Sequence, residues 1–213
     1  TPYVFTKNAP IQQVAPVITT TGSASFSIGT VVFGIDPIQL PTGLTFSTST
    51  GSITGTPTSI VAASTYTISA TIGSSTNYAN LTIAVNDIAP SQLTFSTPSI
   101  SAAVGSAINA VTPSNNGGTV TNYTISPSLP AGLSFNTNTG EISGTPTASS
   151  GSNDYVITAI NSGGTISNTI SIIVNEAIPT NFTYNVNNLT YTNGTSINNI
   201  TPSISGNVSS YAV

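Results

Sequence analysis

The chain has 213 residues, of which 3% are charged and 38% are hydrophobic, and its formal net charge is −4. With one Lys and no Arg, His or Cys, it lacks the ligands that zinc and copper prefer, the groups of thiol and Ser-His catalysis, and the basic surface that nucleic acid requires. No apolar run approaches the ~20 residues that a membrane-spanning helix needs.

The first 87 residues predict short β-strands separated by Gly and Pro. Pro41-Thr42-Gly43 predicts a tight turn and Thr50-Gly51 predicts a hairpin turn. Apolar and polar residues alternate from Tyr66 to Ile72 and from Leu81 to Val85, which places one face of each strand in a core and the other in water. We expect antiparallel pairing throughout, because the sequence offers no helical crossover between parallel strands.

The pattern of the first 87 residues returns 89 positions later, over residues 88–176. Tyr66 recurs as Tyr155, and Val85 recurs as Val174. Three longer segments recur as well: Leu40–Phe46 as Leu129–Phe135, Thr50–Ile53 as Thr139–Ile142, and Gly55–Thr58 as Gly144–Thr147. Self-similarity at a fixed spacing is typical of repeated structural units.

A third copy begins at residue 177 and stops at residue 213. We therefore predict three repeats, 1–87, 88–176 and 177–213, of which the third holds only its opening strands. Residues 92–95 predict the first strand of the second repeat, and the first repeat has no counterpart to it. The first repeat also carries an insertion near residues 29–36. Because the chain begins at Thr1, without a start Met or a signal segment, we expect a mature product or a piece of a longer protein.

These matched segments resemble the immunoglobulin-like repeats of bacterial surface proteins, whose signature runs roughly LPxGLxF, TGxIxGTP, Tyr, Val. The signature stands here as Leu129–Phe135, Thr139–Pro146, Tyr155 and Val174, and again 89 residues earlier. The resemblance implies an all-β fold of tandem immunoglobulin-like antiparallel β-sandwich domains. It also implies an extracellular location and a role in stalks, adhesins or other exported proteins of the cell surface.

Two acids fall at the same place in the two full repeats, just before a linker that contains Pro. Asp87 and Glu176 are candidates for calcium ligands at the repeat junctions, as in cadherin-like modules, although Ca²⁺ takes six to eight oxygens and a solvated strand end is the alternative. We expect no other cofactor. Lys7 is a candidate for an internal isopeptide bond with an Asn, and an exposed strand Lys is the alternative.

Seven N-x-S/T sequences are candidate glycosylation sites. With 22 Asn, and Ser and Thr making up 69 residues, chance alone produces about this number. The seven residues are Asn80, Asn122, Asn181, Asn188, Asn193, Asn199 and Asn207.

The composition and motifs of the sequence favour one of three classes of function. The favoured class is a structural and adhesive module that forms a rod, stalk or filament on a microbial cell surface, with other copies or neighbouring repeats as partners. The alternative is a module that binds carbohydrate or a receptor, with the apolar insertion residues Val31, Val32, Phe33 and Ile35 as a candidate ligand loop. An enzyme is not expected, because five scattered acids without His or Arg do not form a catalytic set.

The ragged ends of the repeat series suggest a mode of assembly. The first repeat lacks its opening strand, and the tail offers unpaired strands from Asn181 onward. Unpaired strand edges bind other strands, so the tail of one chain is predicted to complete the next chain by strand addition. Simple truncation of a longer array is the alternative.

Overall fold

The computed structural model describes residues 1–19, 21–29, 39–186 and 188–212. Within these ranges the secondary structure is sixteen β-strands and no helix, which confirms the predicted all-β class. No helix in the described part of the chain is long and apolar enough to span a membrane.

The first repeat contains six strands. They are β1 (Tyr3–Thr6), β2 (Ser25–Gly29), β3 (Leu44–Phe46), β4 (Ile53–Gly55), β5 (Val61–Ile72) and β6 (Ser75–Asn86). Four of them form a sheet in the order β1-β6-β5-β2, and β3 pairs with β4 in a separate two-stranded sheet. The alternating rows predicted from Tyr66 to Ile72 and from Leu81 to Val85 lie in β5 and β6 and run antiparallel, with Tyr66 opposite Leu81.

The edge strand β1 runs parallel to β6, with Tyr3 opposite Ile83 and Thr6 opposite Asn86. The prediction of antiparallel pairing throughout is therefore wrong at this edge. The second repeat has the same feature, since Ile100 pairs in parallel with Ile172. Parallel strands need a long crossover, and here the repeat between its first and last strands provides it without a helix among the described residues.

One predicted turn leads into β3, and the other connects β3 to β4 in the hairpin. The Leu44 amide donates to the Pro41 carbonyl at 3.0 Å, and Gly43 between them has φ +94°, so residues 41–44 form the tight turn. The Ser47 amide donates to the Ser52 carbonyl at 2.9 Å, and this bond closes the hairpin around Thr50-Gly51. Both turns recur 89 residues later with the same bonds.

The core of the first repeat lies between the β3–β4 hairpin and the four-stranded sheet. Leu44 and Ile53 of the hairpin cluster with Tyr66 of β5 and Ile83 of β6. Ile53 and Ile83 are fully buried, and Tyr66 is 1% exposed. Two layers of strands thus enclose the predicted apolar rows, as in a β-sandwich.

The second repeat contains eight strands. They are β7 (Thr94–Phe95), β8 (Ser99–Ala103), β9 (Pro113–Ser114), β10 (Asn122–Ser126), β11 (Leu133–Phe135), β12 (Ile142–Gly144), β13 (Ser150–Asn161) and β14 (Gly164–Asn175). The sheet order β10-β13-β14-β8 and the β11–β12 hairpin reproduce the arrangement of the first repeat. The predicted opening strand is present as β7, which pairs with β9.

The third segment contains β15 (Thr180–Tyr184) and β16 (Pro202–Ser205). These strands pair with each other, with Thr183 opposite Ser203 and Tyr184 opposite Pro202. The expectation of unpaired strands from Asn181 onward is therefore wrong along one edge of β15. The ribbon that β15 and β16 form is marginally stable in water as an isolated two-stranded sheet.

Contacts along the chain divide it into two compact units. The first comprises Thr1–Gln92, Asn115–Thr121 and Ala159–Ile166, and the second comprises Leu93–Ser114, Asn122–Thr158 and Ser167–Val213. The predicted boundaries at residues 87/88 and 176/177 stay a prediction.

Candidate functional site

The two candidate calcium ligands lie in different surroundings. Asp87 is 7% exposed, and its Oδ1 accepts a hydrogen bond of 2.9 Å from the amide of Ile88. Glu176 is exposed and accepts hydrogen bonds from the Ser149 hydroxyl and, at 3.5 Å, from Asn207 Nδ2. No three His, Cys, Asp or Glu side chains converge within the described residues. The calcium assignment of Asp87 and Glu176 therefore stays a prediction that rests on sequence alone.

Asp87 belongs to a linker that is held by hydrogen bonds within the first compact unit. Asn161 Nδ2 donates to the Ile88 carbonyl at 2.7 Å and to the Thr119 carbonyl at 3.2 Å. Its Oδ1 accepts from the amides of Gly163 and Gly164 at 2.8 Å and 3.2 Å. Every polar atom of this buried amide thus has a partner, as buried polar groups require.

Asn161 is not among the residues predicted from the sequence, although the alternating pattern of its strand points to it. Its matched residue in the first repeat is Ile72, so a polar side chain replaces an apolar one in a core-facing row. Two glycines support the same contact: a Cβ on Gly118 would lie 2.1 Å from the Ile88 carbonyl oxygen, and one on Gly163 would lie 2.1 Å from that of Asp87. We assign to Asn161 the role of fixing the linker after Asp87.

Six of the seven candidate glycosylation sites are exposed, and Asn122 is half-buried. Asn80 lies on β6, where its Oδ1 accepts from Thr67 at 3.0 Å. Asn181 lies on β15 with φ +57°. Exposure is necessary for glycosylation but does not establish it, so all seven sites stay predictions.

Two further sequence predictions also stay open. The Lys7 amide extends the β1–β6 pairing by donating to the Asn86 carbonyl at 2.8 Å, and the isopeptide hypothesis for Lys7 is not tested by this contact. The candidate ligand loop of Val31, Val32, Phe33 and Ile35 lies outside the described residues.

The first repeat has a cleft at the end of its sandwich that lies beyond the Tyr66 core. The cleft has a volume of ≈ 520 Å³. Its walls come from β2, from the ends of β5 and β6, and from the segment after the Val14 bridge to Ile53. The apolar lining residues include Pro16, Val17, Phe26, Ile68, Ala70 and Ile72.

The matched region of the second repeat is closed. Ile157 and Ala159, which correspond to Ile68 and Ala70, are fully buried, whereas the first-repeat pair is only half-buried. Leu93 is 3% exposed, and its carbonyl accepts a hydrogen bond of 2.8 Å from Asn168 Nδ2 on β14. Leu93 leads into β7, the opening strand of the second repeat.

The ribbon of the third segment exposes large apolar side chains. Phe182 is 53% exposed and Tyr184 is 48% exposed. The Phe182 ring lies 5.8 Å from the Tyr184 ring and 6.0 Å from the Tyr211 ring, measured between ring centres. Contiguous exposed apolar groups of this kind mark interaction surfaces.

Among the described residues, two buried tyrosines have raised pKa values. Burial raises the pKa of Tyr66 and of Tyr123 above the usual 10.0. Tyr66 Oη also donates to the Gln39 carbonyl at 3.5 Å. These groups are core components rather than acid–base catalysts, since each lies at a core position and remains protonated at neutral pH.

Comparison with known proteins finds a family and a relative with a similar sequence. The sequence model of a family described as "Putative Ig domain" matches residues 1–86 and again residues 89–175. Over 133 residues, or 62% of its length, the chain is 34% identical to "Serine-rich adhesin for platelets" of Staphylococcus aureus. The chain spans 6% of the length of that relative.

Solved structures similar to the chain are also chains of several domains. The N-terminal eight Ig domains of Down Syndrome Cell Adhesion Molecule isoform 1.30.30 match 83% of this chain and 26% of that one, with a TM-score of 0.47 and 8% identity. The I-band fragment I67–I69 of titin matches 84% of this chain and 64% of that one, with a TM-score of 0.40 and 14% identity.

Proposed function

The chain belongs to the "Putative Ig domain" family, and from that premise we propose that it is a structural and adhesive module on the outside of a microbial cell. In this role the repeats form a rod, stalk or filament, and the partners are further repeats or further copies of the chain.

The observation that carries this proposal is the recurrence of the same four-stranded sheet and two-stranded hairpin in both full repeats. The Val14–Ile53 bridge recurs as Val111–Ile142, and the bond from the Lys7 amide to Asn86 recurs as one from the Val104 amide to Asn175. Units that repeat in this way serve to build extended arrays, because each adds the same structure at the same chain length.

The adhesive part of the proposal draws on the staphylococcal relative. Its name states that it is an adhesin for platelets, and the similarity extends over 133 residues. The low charge of the present chain, 3% of residues, is also suited to close contact between surfaces, because it weakens long-range repulsion. Binding of surface glycans or a receptor is the second candidate, and it draws on the same relative.

Assembly by strand addition is the finer part of the proposal. Phe182 and Tyr184 are exposed on β15, and the exposed Tyr211 ring lies 6.0 Å from the Phe182 ring. A two-stranded sheet of this size gains stability when its apolar face is covered, and a second chain can supply the cover through backbone pairing.

Sedimentation velocity of the 213-residue chain tests this assembly. We expect the average mass to rise with concentration over the micromolar range, and the double variant Phe182→Ser, Tyr184→Ser to weaken association at least about tenfold, since each change removes exposed aromatic area from the contact. The matched control is Ile60→Ser, which alters a residue that is 49% exposed in the first repeat. A chain that stays monomeric at every concentration would contradict assembly.

The surface location and the second candidate need separate measurements. Antibodies raised against the chain should label intact cells that carry the parent protein, and labelling only after permeabilisation would contradict an external location. Selective binding on a glycan array by the monomeric chain would favour the ligand-binding alternative over the structural one.

A further inference from the structure

Two loops of the second repeat carry the same short sequence pattern. Residues 115–118 (NNGG) and residues 161–164 (NSGG) both have the pattern Asn-x-Gly-Gly. Both loops belong to the first compact unit, together with the linker of residues 87–91. The matched residues of the first repeat, 18–21 (ITTT) and 72–75 (IGSS), lack the pattern, so it is not part of the signature that the two repeats share.

The Asn side chain of each loop binds its own loop and the linker at the same time. Asn115 Oδ1 accepts from the amide of Gly117 at 2.8 Å and from the amide of Ser91 at 3.0 Å. Asn161 Oδ1 accepts from the two Gly amides of its own loop, and its Nδ2 donates to the Ile88 carbonyl at 2.7 Å. Each Asn thus fixes the shape of a loop and connects that loop to the linker.

The two loops bind the linker through its backbone. Ser162 Oγ accepts from the Asp87 amide at 2.8 Å, and the Asn116 amide donates to the Ser91 carbonyl at 2.9 Å. The Ile88 carbonyl is also bound, while the Ile88 side chain is 46% exposed. Every residue other than Pro has the same backbone donor and acceptor, so these contacts do not depend on the side chain at position 88.

The glycines of the pattern allow the linker backbone to come close. A Cβ on Gly117 would lie 2.1 Å from the Ala89 carbonyl oxygen, and Gly118 and Gly163 approach linker carbonyl oxygens at the same distance. A residue with a side chain does not fit at this distance, whereas Gly does. The pattern therefore combines an Asn that binds the linker with glycines that let the linker approach.

The same geometry occupies oxygen atoms that a calcium ion would need at this place. An amide oxygen has two lone pairs, and two backbone amides already donate to the Oδ1 atom of Asn115 and of Asn161. Asp87 Oδ1 accepts from the Ile88 amide. Because Ca²⁺ takes six to eight oxygens, side chains that are engaged in this way hold the linker directly and leave few ligands for a cation.

We propose that the two Asn-x-Gly-Gly loops, residues 115–118 and 161–164, form a clamp that holds residues 87–91 through their backbone, without calcium and without a requirement for particular linker side chains. The linker is then an ordered part of the first compact unit rather than a free hinge. This inference goes beyond the proposed function, because it concerns the linker and neither adhesion nor assembly.

Hydrogen exchange of single backbone amides, resolved by NMR in the intact chain, tests the clamp. The double variant Asn115→Ala, Asn161→Ala should speed exchange of the Asp87 and Ser91 amides at least about tenfold, because the linker then opens without unfolding the sheets. The amides of β14 should keep their protection. Unchanged exchange of the linker amides in this variant would overturn the clamp.

A single variant keeps the test decisive if the double variant also loses protection in β14. Asn115→Ala removes only the acceptor of the Ser91 amide, and the Ser91 amide alone should then exchange faster. The matched control is Asn153→Ala, which removes an exposed Asn whose Nδ2 donates to the Gly151 carbonyl at 3.0 Å. The control should leave linker exchange within about twofold of the unsubstituted chain, and an equal effect of Asn115→Ala and Asn153→Ala would contradict the proposal.

Two further arms test how the linker is held. Ile88→Thr changes an exposed linker side chain and should leave exchange within about twofold, whereas a large increase would show that the side chain is needed. Millimolar CaCl₂, compared with EDTA, should also leave exchange unchanged. Slowing of at least about tenfold by CaCl₂ would overturn the calcium-free clamp, since a cation that binds the ordered linker stabilises it. Each of these results is independent of the sedimentation and cell-labelling measurements that test the proposed function.

Discussion

At the scale of single residues, the backbone conformation of a few positions decides the fold of each repeat. Asn8, Gly105 and Gly194 are matched in the three repeats, and all have positive φ, +62°, +80° and +86°. Asn is among the few residues with a side chain that adopt this conformation readily, which explains its presence at a position where the other repeats have Gly. Gly43 and Gly132 are more restricted, because the Cβ of any other residue would collide with a carbonyl oxygen.

We predict that Gly132→Ala destabilises the second repeat by at least about 2 kcal/mol, measured by urea denaturation. Gly132 has φ +89°, and an added Cβ would lie 2.1 Å from the Thr145 carbonyl oxygen; positive φ alone costs an Ala roughly 1–2 kcal/mol. The matched control is Gly151→Ala, where an added Cβ meets nothing within 4 Å and the change should stay within about 0.5 kcal/mol. Equal effects of the two substitutions would contradict the close approach at Gly132.

At the scale of strands, the second repeat has two strands, β7 and β9, that have no counterpart among the described strands of the first repeat. Ile157, Ala159 and Ile170 of the second repeat are fully buried. In the first repeat the matched residues Ile68, Ala70 and Leu81 are half-buried. The same alternating pattern therefore produces different burial in the two repeats.

We predict that Ile157→Ala costs about 3 kcal/mol and that Ile68→Ala costs about half as much, in a chain kept dilute enough to be monomeric. Removal of a fully buried Ile side chain leaves a cavity, whereas Ile68 already contacts water at the open cleft. Hydrogen exchange followed by mass spectrometry measures the protection of backbone amides in β5 and in β13 separately in the intact chain. An equal loss of protection in the two strands would show that the first repeat is closed in solution.

At the scale of the whole molecule, stability comes from burial and backbone pairing rather than from charge. The chain has five acids and one Lys, so ion pairs can contribute little, and exposed pairs contribute ~0–1 kcal/mol each even where they form. It also has no His or Cys, the side chains whose ordinary pKa values lie nearest neutrality. The stability of the chain should therefore depend little on salt concentration.

We predict a free energy of unfolding that is flat between about pH 6 and 9 and that falls above about pH 10. Burial raises the pKa of Tyr66 and Tyr123, so the folded chain holds these phenol protons more tightly than the unfolded chain. This contribution is complete below the unfolded pKa of 10.0 and is lost as the pH rises through the folded value. Urea denaturation at pH 7 and pH 10.5 measures this decrease in the free energy of unfolding. The substitution Tyr66→Phe should make the decrease smaller. An unchanged decrease in that variant would exclude Tyr66 as a cause.

Much of the architecture was predictable because its signals are local. The turns at residues 41–44 and 47–52 were read from Pro and Gly, and the structure confirms them with hydrogen bonds and positive φ values. The 89-residue spacing predicted two units of the same kind. The match of one family model to residues 1–86 and to residues 89–175 confirms that prediction. The candidate sites were harder to predict from the sequence, since Asp87 and Glu176 share a sequence position but have different neighbours.

By itself, then, the sequence determined the class of fold, the period of the repeat and the face that each strand turns inward, because these follow from the order of neighbouring residues. Only the tertiary structure decided the parallel pairing of β1 with β6, the pairing of β15 with β16, and the cleft beside Pro16 and Val17. Each of these depends on segments that are far apart in the chain, and an alternating pattern states which side of a strand is apolar without stating which strand will cover it.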